Sequence, residues 1–384
     1  MSPVVNIEDL RQLARRRLPR MLFDFLDGGA LDEATLRANR ADFERIQFRP
    51  RVLVDVSKRS LRTQLFGVEQ ALPLVLAPLG STGMMARYGE VQAGRAADRC
   101  GIPLCLSTAS TCTIEEVHAG KEKPFWFQLY VMRDRGFIER LIDRAKAAQC
   151  SALVLTLDLQ ILGQRHKDLK NGLSAPPKPT LINLLDLATK PRWCLNMLGT
   201  PRRQFGNIFG HVQGVKDMSS LGEWTNNQFD PTLNWNDVEW VKKRWGGKLI
   251  LKGIQDPEDA RLAVQSGADA LIVSNHGGRQ LDGAQSSIQA LPSVVQAVGK
   301  NIEVHMDGGV RSGQDVLKAK ALGAQGVYIG RAMLYGLGAM GQAGVTKALQ
   351  IIHKEMDISM ALCGRTDINQ VDHSILLPST YPSA

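Results

Sequence analysis

The chain has 384 residues, of which 44% are hydrophobic and 22% charged, a composition typical of a globular protein. No apolar run approaches the roughly 18–20 residues that span a bilayer, and the N-terminus lacks the apolar segment of a signal peptide. We therefore expect a protein that stays inside the cell. The net charge of +9 suits nucleic acid, an anionic membrane or anionic ligands. Nucleic acid is the least favoured of these, because no zinc-finger, RNP or basic-helix signature is present.

The six cysteines form neither a CxxC pair nor a mixed Cys/His set. Zinc sites and disulfide frameworks normally show such spacing. We therefore predict reduced, mostly buried thiols and no metal site.

Residues 1–70 predict a mostly helical extension in front of the main fold. After it, eight short apolar runs alternate with stretches of helical spacing, which is typical of a parallel sheet buried on both faces. The predicted strands are 72–78, 102–108, 125–131, 152–158, 248–253, 270–275, 302–307 and 326–330.

Two of the helices between these strands have clear predicted ends. Asp256 is a suitable N-cap, with Pro257 at the first helical position and Gly267 after the last turn. Ser312 and Gly323 frame a later helix in the same way.

Eight strands alternating with helices form either a closed barrel or an open doubly wound sheet. Polar residues cluster just after the strands, and a barrel gathers eight such ends around one mouth. We therefore predict an α/β fold, a (β/α)₈ TIM barrel with an N-terminal helical extension, within a single domain over 1–384.

A long insertion follows the fourth predicted strand, at about 173–230, and we expect it to be mobile. Its segment 173–217 mixes Pro and Gly with apolar patches and an excess of basic residues. It could serve as a lid or a subunit contact. Equally, apolar and basic side chains together could dock on an anionic membrane.

The segment VSNHGGRQLDG (273–283) follows the sixth predicted strand and places His276 three residues before Arg279. An imidazole is the usual proton acceptor near neutral pH, and a guanidinium can grip a carboxylate with two hydrogen bonds. The alternative is a glycine-rich turn with an exposed histidine. We favour a catalytic base beside a carboxylate site.

Two glycine-rich segments follow the last two strands, MDGGVRSG (306–313) and YIGRA (328–332). Barrels frequently bind phosphate with these two loops. Backbone N–H groups and positive charge together favour an anion site. The candidate residues are Gly308, Gly309, Arg311, Gly330 and Arg331.

Single polar residues follow the remaining strands, and each alone is more typical of a turn. Together they suit a heterocycle with a donor and acceptor edge. Lys252 could stabilise negative charge on such a ring, and Asp158 could pair with His276 as an imidazolium. The remaining candidates are Ser107, Gln128, Tyr130 and Thr156.

The run YGLGAMGQAG contains a GxGxxG pattern at Gly336, Gly338 and Gly341. A dinucleotide-binding fingerprint must follow a strand directly and open a helix, whereas residues 331–335 intervene here. We predict that the run lies within or between helices and binds no dinucleotide.

The strings SNHGGRQLDG, DGGVRSG and IGRA, with Lys252, resemble the FMN-dependent 2-hydroxy-acid dehydrogenase/oxidase family. The resemblance extends from LPRMLFDFLDGGA (18–30) to about residue 365. Within the family, FWFQLYVMRDRGF and KGIQDPEDARLAV are most similar to the bacterial respiratory branch that oxidises L-lactate.

The resemblance implies FMN as cofactor and a role for each matching residue. His276 resembles the base and Asp158 its electrostatic partner, and Lys252 resembles the residue near flavin N1/O2. Arg165, Arg279 and Tyr130 resemble substrate-binding residues. The implied flavin-ring contacts are Ala77, Pro78, Leu79, Gly80, Ser107, Gln128, Thr156 and Ser274, and the implied ribityl-phosphate contacts are Asp307, Gly308, Gly309, Arg311, Gly330 and Arg331.

Two positions depart from the family pattern. Phe25 stands in the substrate pocket where a tyrosine is usual, so one hydroxyl bond to the carboxylate is lost, at a cost of about 1.5–3 kcal/mol. Ala109 stands where one branch carries a bulky Trp, which leaves room for a larger substrate.

The resemblance implies oxidation of an L-2-hydroxy acid, with L-lactate as the leading candidate and a quinone or other membrane acceptor rather than O₂. It also implies a homo-oligomer, with a tetramer favoured, and peripheral contact of 173–217 with the cytoplasmic face of the membrane. The alternatives are an oxidase or monooxygenase acting on a bulkier acid, and a silent FMN-binding protein. Retention of His276, Asp158, Lys252 and Arg279 argues against the silent protein.

Overall fold

The computed structural model describes residues 3–173, 180–200, 204–212 and 228–383. The N-terminal extension begins with three helices and ends in a short antiparallel hairpin, so it is helical only over its first part. The first helix starts at a capping box, in which Asn6 and Asp9 each accept the other's backbone N–H. These elements are α1 (Ile7–Arg17), α2 (Arg20–Asp27), α3 (Ala34–Arg45), β1 (Thr63–Leu65) and β2 (Val68–Gln70).

Eight parallel strands follow and close on themselves. The neighbour order is β3-β10-β9-β8-β7-β6-β5-β4, and the backbone N–H of Leu76 donates to the carbonyl of Pro103 (3.0 Å) to join the two ends. The predicted TIM barrel is thus confirmed, and the open sheet is wrong. The strands are β3 (Leu74–Leu76), β4 (Cys105–Ser107), β5 (Trp126–Leu129), β6 (Ala152–Thr156), β7 (Lys248–Ile254), β8 (Ala270–Val273), β9 (Glu303–Met306) and β10 (Gly326–Ile329).

Alternate strand residues build two cores. One set fills the barrel interior, where Val75, Val154 and Ile272 are fully buried, and the other set packs outward against the helices. The hairpin seals the end of the barrel where the strands begin, because the ring of Phe66 lies 5.5 Å from that of Trp126. The opposite end of the barrel, where the strands finish, is not covered by this hairpin.

The helices between the strands confirm the predicted ends. Asp256 caps the helix that starts at Pro257, and Ser312 forms a capping box with Asp315. The six cysteines are free and mostly buried, as predicted. The helices are α4 (Gly89–Cys100), α5 (Ile114–Gly120), α6 (Arg135–Ala147), α7 (His166–Lys170), α8 (Leu181–Ala188), α9 (Pro191–Leu198), α10 (Trp235–Trp245), α11 (Pro257–Gln265), α12 (Ser287–Val298), α13 (Gly313–Ala321), α14 (Arg331–Met340) and α15 (Gln342–Leu362).

The predicted insertion lies between β6 and β7, and its residues 174–179, 201–203 and 213–227 fall outside the described residues. Its helix α8 packs against α2, and its helix α9 lies against the turn before α4. The backbone N–H of Arg20 donates to Asp186 (2.6 Å), and Trp193 Nε1 donates to the carbonyl of Met84 (2.9 Å). Within the described ranges, no helix is both long and apolar enough to cross a membrane.

The GxGxxG run lies within α14 and at its junction with α15, as predicted. Its glycines let these two helices touch. A Cβ on Gly336 would overlap the carbonyl oxygen of Gly344, and a Cβ on Gly344 would overlap that of Gly336. The pattern is therefore explained by helix packing rather than by a ligand.

Gly336→Ala should destabilise the fold by about 1–3 kcal/mol, because backbone atoms of α15 cannot yield to the new methyl group. Gly136→Ala in α6 is the matched control, since its Cβ would meet nothing closer than 3.5 Å. The control should be neutral or stabilising by up to about 1 kcal/mol. Urea unfolding measures both variants, and equal stabilities would contradict this packing account.

Candidate functional site

A cleft of about 820 Å³ opens where the barrel strands end. Its walls come from the loops after the strands and from the end of α2. Ligand sites of TIM barrels lie at this end of the barrel. The predicted residues that line it are Phe25, Ala77, Pro78, Leu79, Gly80, Tyr130, Lys252, His276, Arg279, Asp307, Gly308, Gly309, Arg311, Gly330 and Arg331.

His276 stands at the rim of the cleft with Asp158 behind it. Nδ1 of His276 lies 2.9 Å from Oδ1 of Asp158. A neutral imidazole that donates from Nδ1 to this carboxylate leaves Nε2 as a proton acceptor. Burial lowers the pKa of His276 below its usual value, although Asp158 opposes the shift. The ring is therefore neutral at neutral pH and available as a base.

Buried charges behind His276 hold one another in their ionised forms. Nζ of Lys252 donates to Ser274 Oγ (2.8 Å) and lies 3.2 Å from Oδ2 of Asp307. Burial would lower the pKa of Lys252, but Asp307 and Asp158 raise it overall. Burial would likewise raise the pKa of Asp158, yet His276 and Lys252 together lower it. Lys252 on the floor of the cleft therefore stays an ammonium at neutral pH, paired with Asp307.

A bulge in β7 gives Asp158 its place. The register shifts between Lys252 and Ile254, and Gly253 has a φ of 108°. A Cβ at Gly253 would lie 2.7 Å from the side chain of Asp158. Only glycine permits both this conformation and this approach.

A network of amides holds the turn that carries His276. His276, Gly277 and Gly278 have φ values of 57°, 66° and 72°, an unfavourable run for a histidine. Asn275 Oδ1 accepts from the N–H of Gly278 (3.0 Å) and from Asn39 Nδ2 (2.9 Å). In return, Asn275 Nδ2 donates to Asn39 Oδ1 (2.9 Å). Helix α3 therefore supports the turn that carries His276 from outside the barrel.

Arg279 forms the side of the cleft nearest α2. Its Nη1 donates to the carbonyls of Phe25 (2.6 Å) and Gly28 (3.0 Å), and its guanidinium carbon lies 4.8 Å from the centroid of the Phe25 ring. Arg165 approaches from behind, and the two guanidinium groups lie 3.4 and 3.9 Å from one Asp168 oxygen. Two cations and one carboxylate leave a net positive site.

Three buried polar side chains connect neighbouring strands beside the cleft. Ser107 Oγ donates to Gln128 Oε1, and Gln128 Nε2 donates to Thr156 Oγ1, both at 3.0 Å. Ser107 also lines a small adjoining cavity of about 210 Å³, which shares Ala77 with the cleft. On the same side, burial raises the pKa of Tyr130 to about 12, so its hydroxyl stays protonated.

The glycine loops after β9 and β10 form the far end of the cleft. Gly308 and Gly309 have φ values of 96° and 85°, which glycine adopts without strain. A Cβ on Gly330 would make only ordinary van der Waals contacts, the nearest with Leu79 at 3.6 Å, so this backbone is not crowded. Oδ1 of Asp307 is buried without a partner beside them.

Six predicted residues stand behind the lining rather than in it: Asp158, Arg165, Ser107, Gln128, Thr156 and Ser274. Asn39, Asn275 and Asp168 hold the predicted residues in place but were not predicted from the sequence. Asn275 directly precedes His276, and its position in the SNHGGR string was the available signal. No sequence signal pointed to Asn39, because it lies far from His276 along the chain.

The site and the fold together define a flavin enzyme of the barrel type. A sequence model described as FMN-dependent dehydrogenase matches residues 14–378. The chain is 49% identical to an L-lactate dehydrogenase of Caulobacter vibrioides (strain NA1000 / CB15N), over 97% of each chain. It is also 49% identical to an L-lactate dehydrogenase of Pseudomonas syringae pv. syringae (strain B728a), over 97% of this chain and 98% of the relative.

A crystal structure of the monotopic membrane protein (S)-mandelate dehydrogenase superposes with a TM-score of 0.93, at 37% identity, covering 98% of this chain and all of the other. A mandelate oxidase superposes with a TM-score of 0.84, at 36% identity and full coverage of both chains. This chain belongs to the FMN-dependent dehydrogenase family, and its cofactor is FMN.

The cleft fits this cofactor. The glycine loops beside Arg311 can take a phosphate, the unpartnered oxygen of Asp307 can accept from a ribityl hydroxyl, and the Lys252 ammonium can face the anionic edge of a reduced flavin.

The amide pair predicts strong coupling between Asn39 and Asn275. Either alanine variant leaves a buried amide and should cost about 1–3 kcal/mol in unfolding free energy. The double variant should cost clearly less than the sum, because the second deletion removes the group that the first left unpaired. Urea unfolding of the two single variants and the double variant completes the cycle. Additive costs would show that the amides act independently.

Proposed function

We propose that the protein oxidises an L-2-hydroxy acid to the 2-oxo acid, with L-lactate as the leading substrate. The observation that carries this proposal is the His276–Asp158 pair, which faces the same cleft as Arg279 and the glycine loops. When bound, FMN accepts the two electrons removed from the substrate. The name of the 49% identical relatives supports L-lactate in particular.

His276 is the proposed base. Its Nε2 takes a proton from the substrate, and Asp158 stabilises the imidazolium that results. Arg279 binds the substrate carboxylate, with Arg165 adding positive charge from behind. Tyr130 donates its hydroxyl proton toward the substrate oxygen, since its high pKa keeps that proton in place. Phe25 supplies an apolar wall in place of the usual hydroxyl.

The proposed cofactor contacts follow the walls of the cleft. Lys252 holds the anionic edge of the ring, and the phosphate lies on the two glycine loops. The remaining proposed ring contacts are the backbone at residues 77–80 and the side chains of Ser107, Gln128, Thr156 and Ser274. Ser107, Gln128 and Thr156 are already ordered by mutual hydrogen bonds, and Ser274 is ordered by its bond from Lys252. Little entropy is therefore lost when a ring binds beside them.

A panel of L- and D-2-hydroxy acids under anaerobic conditions tests the substrate. L-Lactate should bleach the oxidised flavin absorbance of the purified holoenzyme, and D-lactate should not. L-Mandelate tests the bulkier alternative, for which Ala109 beside Gly80 leaves room. No bleaching with L-lactate at any concentration would remove the leading substrate, and no bleaching with any acid would favour a silent FMN-binding protein.

The pH profile tests the base. Activity requires neutral His276, so kcat/KM should fall as the pH drops through the pKa of His276, which lies below the usual value near 6.5. Asp158→Asn removes the group that raises this pKa. Its acid limb should therefore move to still lower pH while kcat falls. His276→Gln should lower kcat by about 10²–10⁴-fold.

The control for the pH profile is His353→Gln, which alters an exposed histidine on α15. It should leave both kcat and the acid limb unchanged. An acid limb that stays in place in Asp158→Asn would assign the titration to another group.

We also propose that the enzyme is peripheral to the cytoplasmic face of the membrane and passes electrons to a quinone. Helix α8 presents an exposed apolar face, with Leu181 73% and Leu185 64% exposed. Exposed Arg20 and Arg192 lie on α2 and α9, the helices that pack with α8. Exposed Arg16 lies nearby on α1, where its carbonyl accepts from Nζ of Lys190 (3.1 Å), two residues after α8 ends. Apolar faces bordered by arginine bind anionic lipid surfaces.

The electron acceptor is tested by comparing the rates at which the purified enzyme reduces O₂ to H₂O₂ and reduces quinone analogues. Equal rates would contradict the quinone proposal and indicate an oxidase.

Leu181→Asp combined with Leu185→Asp should abolish co-sedimentation with vesicles of phosphatidylglycerol and phosphatidylcholine, because two charges would enter the apolar face. Val68→Asp is the matched control, since Val68 is 60% exposed in the hairpin at the opposite end of the barrel. It should bind as the wild type does. Binding should also weaken with salt, because the attraction to anionic lipid is screened. Unchanged binding by the double variant would leave the insertion as a lid or a subunit contact.

We further propose that the protein forms a homo-oligomer, with a tetramer favoured. Val52 and Leu53 lie 80% and 103% exposed in a loop before the hairpin, an apolar surface suited to a subunit contact. Light scattering of the purified holoenzyme measures the mass directly.

A further inference from the structure

Arg331 has hydrogen-bond partners that a phosphate ligand alone would not need. Its Nε donates to the carbonyl of Leu26 (3.0 Å), its Nη1 to that of Gly277 (2.9 Å) and its Nη2 to that of Gly28 (2.7 Å). Arg331 is buried, with an exposed fraction of 9%. Three of the five guanidinium N–H groups are thereby engaged, and two remain for an anion.

These carbonyls belong to the two walls of the substrate pocket. Leu26 and Gly28 end α2, which carries Phe25, and Gly277 directly follows His276. Gly28 is shared, because Arg279 Nη1 donates to the same oxygen (3.0 Å). Arg331 itself begins α14, next to Gly330 of the phosphate loop. One side chain therefore connects the cofactor end of the cleft with both sides of the substrate end.

The backbone is shaped to admit this guanidinium. Gly277 has a φ of 66°, which favours glycine, and a Cβ there would lie 2.8 Å from Nη1 of Arg331 and displace the guanidinium from its carbonyl partners. The end of α2 and the catalytic turn also touch directly, since the N–H of Ala30 donates to the carbonyl of Gly278 (2.8 Å). The guanidinium closes a ring of contacts that fixes the three left-handed residues at 276–278.

We propose that Arg331 is a positioning residue that couples cofactor binding to the geometry of the substrate pocket. Phosphate bound at the two free N–H groups fixes the guanidinium, and the fixed guanidinium holds Gly277 and the end of α2. Binding of the substrate carboxylate orders the same walls through Arg279. The two ligands therefore favour one arrangement and strengthen each other's binding. This inference rests on the proposed function.

The test compares Arg331→Lys with Arg311→Lys. Arg311 lies at the same anion site, but its side chain donates to the carbonyl of its own neighbour Val310 (2.8 Å) and lies over the Tyr335 ring (5.5 Å), so it holds neither α2 nor the turn at 276–278 through the described hydrogen bonds. Lysine keeps the charge at either position, yet one ammonium cannot reach three divergent carbonyls. The Kd of FMN is measured from the fluorescence of released FMN, with and without saturating pyruvate, the product expected from L-lactate.

In the wild type, pyruvate should tighten FMN binding by at least about fivefold. Arg331→Lys should weaken FMN binding, reduce this ratio toward one and raise the KM for L-lactate at saturating FMN. Arg311→Lys should weaken FMN binding and keep the ratio. Arg331→Gln retains a planar amide donor, so it should keep part of the tightening of FMN binding by pyruvate. This second variant keeps the test decisive if Arg331→Lys fails to fold.

The proposal is overturned if Arg331→Lys and Arg311→Lys behave alike, or if pyruvate leaves the wild-type Kd of FMN unchanged. Failure of the proposed function is a separate result, because it appears as the absence of bleaching in the wild-type panel. If that panel identifies another acid, its 2-oxo acid replaces pyruvate in the measurement.

Discussion

The pairing of buried charges at the mouth of the barrel is the constraint on which the site depends. Lys252 and Asp307 are buried, and the side chains of Asp158 and His276 are only 15% and 20% exposed, so an isolated charge would be costly at any of the four. Each of them faces an opposite charge or a hydrogen-bond donor, and the strand ends that place them are part of the closed sheet. The ionised forms of these groups therefore depend on the strand register of the closed barrel, since a shift of β7 against β6 would separate Lys252 from Asp158.

The N-terminal helices are part of the site rather than an appendage to it. The end of α2 supplies Phe25 and the carbonyls that hold Arg279 and Arg331, and α3 supplies Asn39. A barrel alone would expose the left-handed turn at 276–278 to solvent on its outer side. The helices replace that solvent with directed hydrogen bonds, which keeps an unfavourable backbone conformation in one state.

Much of this arrangement was predictable from the sequence, for reasons that differ between its parts. Buried parallel strands have a continuous apolar pattern, and residues just after them must meet at one mouth, so His276, Lys252 and the glycine loops could be located together. The hairpin at 63–70 was missed because its strands are only three residues long. Asn39 was missed because hydrogen bonds between distant segments leave no periodic pattern, and Arg331 carried only the family role of a phosphate contact.

The distance along the chain between the two sides of the cleft has a consequence for biosynthesis. Residues 25–39 leave the ribosome early, whereas their partners at 275–279 and 331 are made some 250 to 300 residues later. Contacts of such large sequence separation form late in folding. The early helices must wait with apolar faces unpaired until the last third of the barrel is available. The cleft also needs the loops after β9 and β10, so a chain interrupted before β8 would lack its phosphate end and would remain exposed to aggregation.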